Sequence, residues 1–179
     1  CDFGRMEYLI VELGGKAHES LVLGYVNPQA LNVAAVALGA KLPEEYDSRV
    51  YDVGPEGEID DVWPLFRIEL LYRDEAGEVF RSRPEDFILN QIKDTAMPHR
   101  PWAYTGSYFY YDKDLEQEYW ASSVSKNIAA IFRDNSCVFM TTDPNINNDE
   151  VYVAHTEAMP PAGTRILVLM TLLESSEER

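Results

Sequence analysis

Residues 13 to 43, LGGKAHESLVLGYVNPQALNVAAVALGAKLP, confine the fold more tightly than any other part of the chain. Asn27 is a good N-cap, and Pro28 falls at the first helical position, where an N–H would lack an intrahelical partner in any case. Gly39 stands where a glycine ends a helix, and Pro43 stops any continuation. Between these signals Leu31, Ala34, Ala35 and Leu38 recur at helical spacing. Val33, Val36 and Ala37 make the segment apolar nearly all round. The pattern predicts a helix over 28–38 buried against a sheet, with small alanines permitting close approach.

Ahead of this helix, Gly14-Gly15 is a hairpin signal, because two glycines accept the positive φ angles of a primed turn. The expected strands are EYLIVEL, 7 to 13, and KAHESLVLGYV, 16 to 26. Strand alternation puts Ala17, Glu19, Leu21 and Leu23 on one face, with Lys16, His18, Ser20 and Val22 on the other. Glu19 then interrupts an apolar face. A carboxylate buried there must be compensated, so Glu19 is expected to be mostly buried and to accept at least two hydrogen bonds. It acts either as a pin joining the hairpin to the fold or as a ligand contact.

The rest of the chain continues in short strands. The stretch 44–61 is acidic and carries glycine and proline, which reads as a solvated excursion. Phe66, Ile68, Leu70 and Tyr72 alternate with Arg67 and Glu69, the pattern of a half-buried strand. Asp74 to Gly77 turns the chain into a second hairpin. Pro84-Glu85-Asp86 resembles the first turn of a helix running to about 92, with acids near the positive end of its dipole. WAYTGSYFYY, 102 to 111, reads as a strand with aromatics on both faces, and Gly106 marks a bulge or close backbone approach. EYWASSV, IAAIF, VYVAH and TRILVLMTLL are further strands, and the tail 174–179 is expected to fray. These readings add up to one α+β domain over 1–179. It is predominantly antiparallel, with one well-defined packed helix at 28–38 and a second short helix at about 84–92.

Composition narrows the function. The 179 residues are 46% hydrophobic and 26% charged, ordinary for a globular domain. The net charge of −16 argues against nucleic acid, whose phosphates need clustered Lys and Arg. No apolar run is long enough to span a bilayer. Cys1 and Cys137 are too few for a four-cysteine iron–sulfur or zinc site, and no cofactor is expected. Cys1 fits the start of a bacterial lipoprotein. The strand pattern begins by Met6, however, which leaves a short tether, so a domain boundary is the preferred reading.

GGKAHESL followed by a helix ending in LGAK, then WAYTGSYF, YWASS and PPAGTRILVLM in that order, resembles the YdjY-type domain family of bacteria across nearly the whole chain. The resemblance implies an exported, extracytoplasmic domain with no established biochemical activity. Some members of that family are labelled ferredoxin-like, from which the cysteine count departs.

The chemistry-bearing residues support a ligand site more readily than a reaction. Lys16, His18, Glu19 and Ser20 are the candidate binding cluster, with Trp102 and Ser107 of the aromatic strand as further candidates. The leading expectation is a non-enzymatic module that binds a protein or small molecule. The alternative is a hydrolase or metal-dependent enzyme using His18, Glu19 and Ser20. Cα atoms of His18 and Ser20 would lie roughly 6 to 7 Å apart on one strand face. No nucleophile-elbow glycines surround Ser20, and His18, His99 and His155 show no metal-ligand spacing. Asp143, Asn145, Asn147 and Asp149 imitate the oxygen ligands of a calcium loop. Asn148 stands where its glycine belongs and Ala154 where its glutamate belongs, so an exposed loop without metal is expected.

Overall fold

The computed structural model describes residues 4–174, and its spine is the strand in which Phe66, Ile68, Leu70 and Tyr72 alternate with polar neighbours. Cys1 and all but the first residue of the 174–179 tail lie outside the described residues. In chain order the strands are β1 (Tyr8–Glu12), β2 (Ser20–Gly24), β3 (Leu65–Arg73), β4 (Val79–Ser82), β5 (Ile88–Asn90), β6 (Thr95–Ala96) and β7 (Trp102–Tyr104). They continue as β8 (Phe109–Asp112), β9 (Gln117–Trp120), β10 (Asn127–Ala130), β11 (Phe139–Thr141), β12 (Tyr152–Ala154) and β13 (Ile166–Leu172). The helices are α1 (Pro28–Ala37) and α2 (Ala121–Ser125).

The main sheet runs β13-β3-β7-β11-β10-β1-β2. β13 pairs with β3 from Phe66 to Tyr72, while β7 and β4 share the opposite edge of β3. Two smaller sheets, β12-β5-β6 and the hairpin β8-β9, complete the strands. Most pairings are antiparallel and one main helix packs on the sheet, so the α+β class expected from the sequence is the one found.

Alternation along the strands divides the core between the two faces of this sheet. On one face Ile10, Val22, Phe66, Ile68, Trp102, Tyr104 and Phe139 pack with Ala35 of α1. On the other, Tyr8, Val11, Leu65, Ala103, Ala130 and Met140 pack with Tyr51, Val53 and Trp63. The acidic stretch 44–61 is therefore a cover for the second face as well as a solvated loop. Trp63 anchors it through edge-on contacts with Tyr46 and Tyr51, at centroid distances of 5.5 and 5.1 Å.

Several local expectations are corrected. Gly14 takes the positive φ of its turn, +90°, yet β1 and β2 run parallel, not as a hairpin. A 3-10 turn over Ala17–Glu19 swings the chain back a second time, so that Glu7 N donates to Glu19 O and Leu13 N to Gly24 O. The helix expected at about 84–92 is one 3-10 turn, Pro84–Phe87, followed directly by β5. Its start signals are real, since the Asp86 carboxylate accepts from Arg83 N at 3.0 Å. Pairing of Ile88–Asn90 with both β12 and β6 then overrides helical continuation. The EYWASSV strand stops at Trp120 and gives way to α2, which ends on Lys126 at φ 63°. The WAYTGSYFYY strand breaks in two where Gly106 and Ser107 both take positive φ, 70° and 61°.

α1 matches its sequence signals closely. The Asn27 side chain accepts from Gln29 N and Ala30 N at 2.7 and 3.3 Å, and Gly39 leaves the helix at φ +108°. A hydrogen bond from the Tyr104 hydroxyl to Asn32, 2.8 Å, moors it to the sheet. Its burial falls short of its composition. Only Pro28 and Ala35 are buried, and Val33 and Leu38 are 62% and 60% exposed.

Candidate functional site

The Lys16–Ser20 segment forms a charged cluster at the surface. Lys16 Nζ stands 3.3 Å from Glu7 and 3.6 Å from Glu19, and His18 Nε2 stands 3.5 Å from Glu19. The Lys16 ammonium also lies 5.2 Å from the centroid of the Tyr8 ring. Partial burial alone would lower the Lys16 pKa. Glu7 and then Glu19 more than offset it and hold the ammonium above its ordinary range. The His18 side chain is 77% exposed and that of Glu19 27%. The strand-parity argument fails here because Ala17–Glu19 is a 3-10 turn, where alternation does not apply. The Glu19 side chain is thus only half-buried, and although its Oε2 is enclosed, that oxygen accepts no hydrogen bond, so the two bonds expected of it are not made. Its partners are its own neighbours Lys16 and His18. Ser20 is buried, and its hydroxyl donates to the Ala17 carbonyl at 3.2 Å.

Trp102 and Ser107 stand apart from that cluster, joined to it by no hydrogen bond or ion pair among the described residues. Trp102 is fully buried, and its indole N–H donates to Glu85 at 3.0 Å. Glu85 is itself 1% exposed and takes Arg83 as counter-ion at 3.1 Å. The Ser107 hydroxyl donates to Ser136 O at 2.8 Å and accepts from Ser122 N at 3.1 Å. Both side chains have their hydrogen-bonding capacity spent inside the protein.

In the 143–149 loop the Asp143 carboxylate turns inward to cap the turn. Asp143 is buried and accepts from both the main-chain and side-chain nitrogens of Asn145, while Asp149 pairs with Arg5 at 2.9 Å. Asn147 is exposed. Ile146 is fully buried, so the loop is tied to the core and not wholly exposed as expected. Among the described residues no three His, Cys, Asp or Glu side chains gather as a metal cluster.

An apolar cleft lies elsewhere. A cleft of about 450 Å³ runs beneath α1, within the usual range of roughly 300–1,000 Å³ for ligand sites. Its floor is Phe66 and Phe139, from the middle of the sheet. One wall is the edge strand β2 with Val22 and Leu23, and the other is the opposite edge strand β13 with Ile166, Val168 and Met170. The sheet therefore curls until its two outer strands face one space. Leu31 and Ala34 of α1, with Leu38 just past its end, form the roof. No charged residue lines the cleft. The small side chains of Ala34 and Ala35 leave room in the cleft that leucines would fill.

Two sequence signals pointed here without being joined. The segment 27–40 carries no charged residue, and neither does 166–173, in a chain that is 26% charged overall. Each reads alone as core. Only the topology sets them on opposite sides of one cavity. No family model, no curated protein and no solved structure matches this chain.

Proposed function

We propose that this protein is a non-enzymatic binding module whose ligand lies in the cleft between β2, β13 and α1. The observation that carries the reading is a charge-free cavity of about 450 Å³ walled by both edges of the main sheet. Cavities with that lining take apolar groups, and leaving it water-filled forgoes the burial of its walls. An enzyme using His18, Glu19 and Ser20 is the weaker reading. The Ser20 hydroxyl is engaged with a carbonyl, and His18 projects into solvent with Glu19 3.5 Å from its Nε2. The Lys16–Glu19 cluster, Trp102 and Ser107 then serve the scaffold around the cleft.

The test is titration with a neutral environment-sensitive dye such as N-phenyl-1-naphthylamine. Saturable fluorescence is expected, and Ala34→Trp, which fills the cleft from its roof, is expected to abolish it. A signal that never saturates, or one untouched by Ala34→Trp, removes the reading. The likeness to the YdjY-type family supplies the proposed setting, an extracytoplasmic bacterial domain. Fractionation of source cells tests that setting independently, and recovery in the cytosol would reject it.

A further inference from the structure

The cleft has a main-chain side as well as an apolar one. Leu173 N donates to Leu65 O at 2.8 Å, in the register that sets Leu172 opposite Phe66. Hydrogen-bonded pairs alternate along an antiparallel ladder, so Leu167, Leu169 and Thr171 bond to β3. Ile166, Val168, Met170 and Leu172 must then turn their N–H and C=O groups toward the open edge. Among the described residues no strand pairs there. Exposed edges are normally guarded by charge, proline or a bulge. β13 has no charged residue and no proline, and its register with β3 is unbroken over the whole strand. By contrast the outer strand β4 carries Arg81.

Building on the cleft reading above, we infer that the ligand is an extended apolar peptide segment of a partner protein, flanked by basic residues, which adds to β13 as a strand. Strand addition satisfies the open main-chain groups while alternate side chains drop toward Phe66 and Phe139. An acyl chain would fill the same apolar space and leave those groups without partners. The flanking charge follows from the molecule's field. The chain carries −16, and the cleft itself is neutral, so basic residues fit outside the apolar segment and not within it. A second copy of this chain would bring another −16 to the same contact.

The experiment uses the full chain and fluorescence anisotropy. The probe is a labelled peptide of alternating valine and threonine between lysine pairs, compared with the same peptide N-methylated at every second residue. The unmethylated peptide is expected to bind saturably, and the methylated one about tenfold or more weaker, since it lacks the donors that strand pairing needs. Met170→Pro removes an outward N–H while sparing the bonds to β3, and is expected to weaken the first peptide about tenfold beyond Met170→Ala, which removes the same cleft-lining side chain but keeps the N–H. Equal binding of the two peptides overturns the strand. Dye binding without peptide binding also overturns it and leaves the cleft standing. Absence of both removes the cleft reading too. A dimer seen in sedimentation without peptide, and dispersed by Met170→Pro, would put a second copy on this edge and overturn the partner assignment.

Discussion

Asp134 ties together three separate pieces of chain. Its carboxylate accepts from the Tyr8 hydroxyl at 2.9 Å, from Asn127 Nδ2 at 2.8 Å and from Ser136 N at 2.9 Å. Burial pushes its pKa up, but hydrogen bonds from Ser136, Asn127 and Tyr8 outweigh burial and hold it below the ordinary value. A folded-state pKa below the unfolded one contributes stability that is fully present above the unfolded value, about 4, and is lost as pH falls through the lower folded value. Asp134→Asn should cost ~1–3 kcal/mol at neutral pH, and should lose less further stability than the parent on acidification below about pH 4. Parallel melting curves for the two across that acid range would assign the effect to other carboxylates. Cys137 lies beside this network, fully buried, and burial followed by the Asp134 charge pushes its thiol well up. A neutral, inaccessible thiol does not attack alkylating reagents. Mass spectrometry of the Cys137 peptide should find it unmodified after iodoacetamide treatment of native protein and modified in denaturant. Equal labelling in both would contradict its burial.

α1 is the element whose limits were most legible, because its signals are local. Asn27 bonds the first turn, Pro28 fits it and Gly39 ends it, and none of this depends on distant chain. Asn27→Ala removes an acceptor for two main-chain donors and should cost about 1 kcal/mol. In a chain of this size that corresponds to a fall of roughly 2–4 °C in the thermal midpoint. An unchanged midpoint would mean that water caps the turn equally well. Elements decided by distant partners were less legible. Pro84 to Asp86 did begin a helical turn, but β12 and β6 claimed the next three residues as a strand. Gly14 did make its turn, but whether β1 and β2 ran parallel depended on the 3-10 turn that followed. The same turn moved Glu19 off the core face, so the grouping of Lys16, His18 and Glu19 was legible while the burial of Glu19 was not. The cleft was the least legible feature. The periodicity of α1 and the apolar run of β13 were both visible, but nothing local says that a curling sheet brings them together.

The molecule as a whole carries far more acid than its cations neutralise. Six of the nine arginines among the described residues already have carboxylate partners: Arg5 with Asp149 and Glu150, Arg49 with Asp47, Arg67 and Arg81 with Glu69, Arg83 with Glu85, and Arg133 with Asp52. With 31 Asp and Glu against 15 Lys and Arg, the excess of −16 acts across the folded surface and disfavours the compact state. Salt works on both contributions. It weakens exposed ion pairs, but each of these is worth only about 0–1 kcal/mol, and partners about 3 Å apart sit well inside even an 8 Å screening length. The diffuse repulsion spans the whole molecule and is hardly screened at about 10 mM salt, where the screening length is about 30 Å, but is largely screened at about 150 mM. Relief of repulsion should therefore win. The thermal midpoint at neutral pH should rise by several degrees between about 10 and 150 mM sodium chloride, then flatten once the screening length is short against the protein. A midpoint that falls over the same interval would mean that the surface pairs around Arg81, Arg133 and Arg5 outweigh the excess charge.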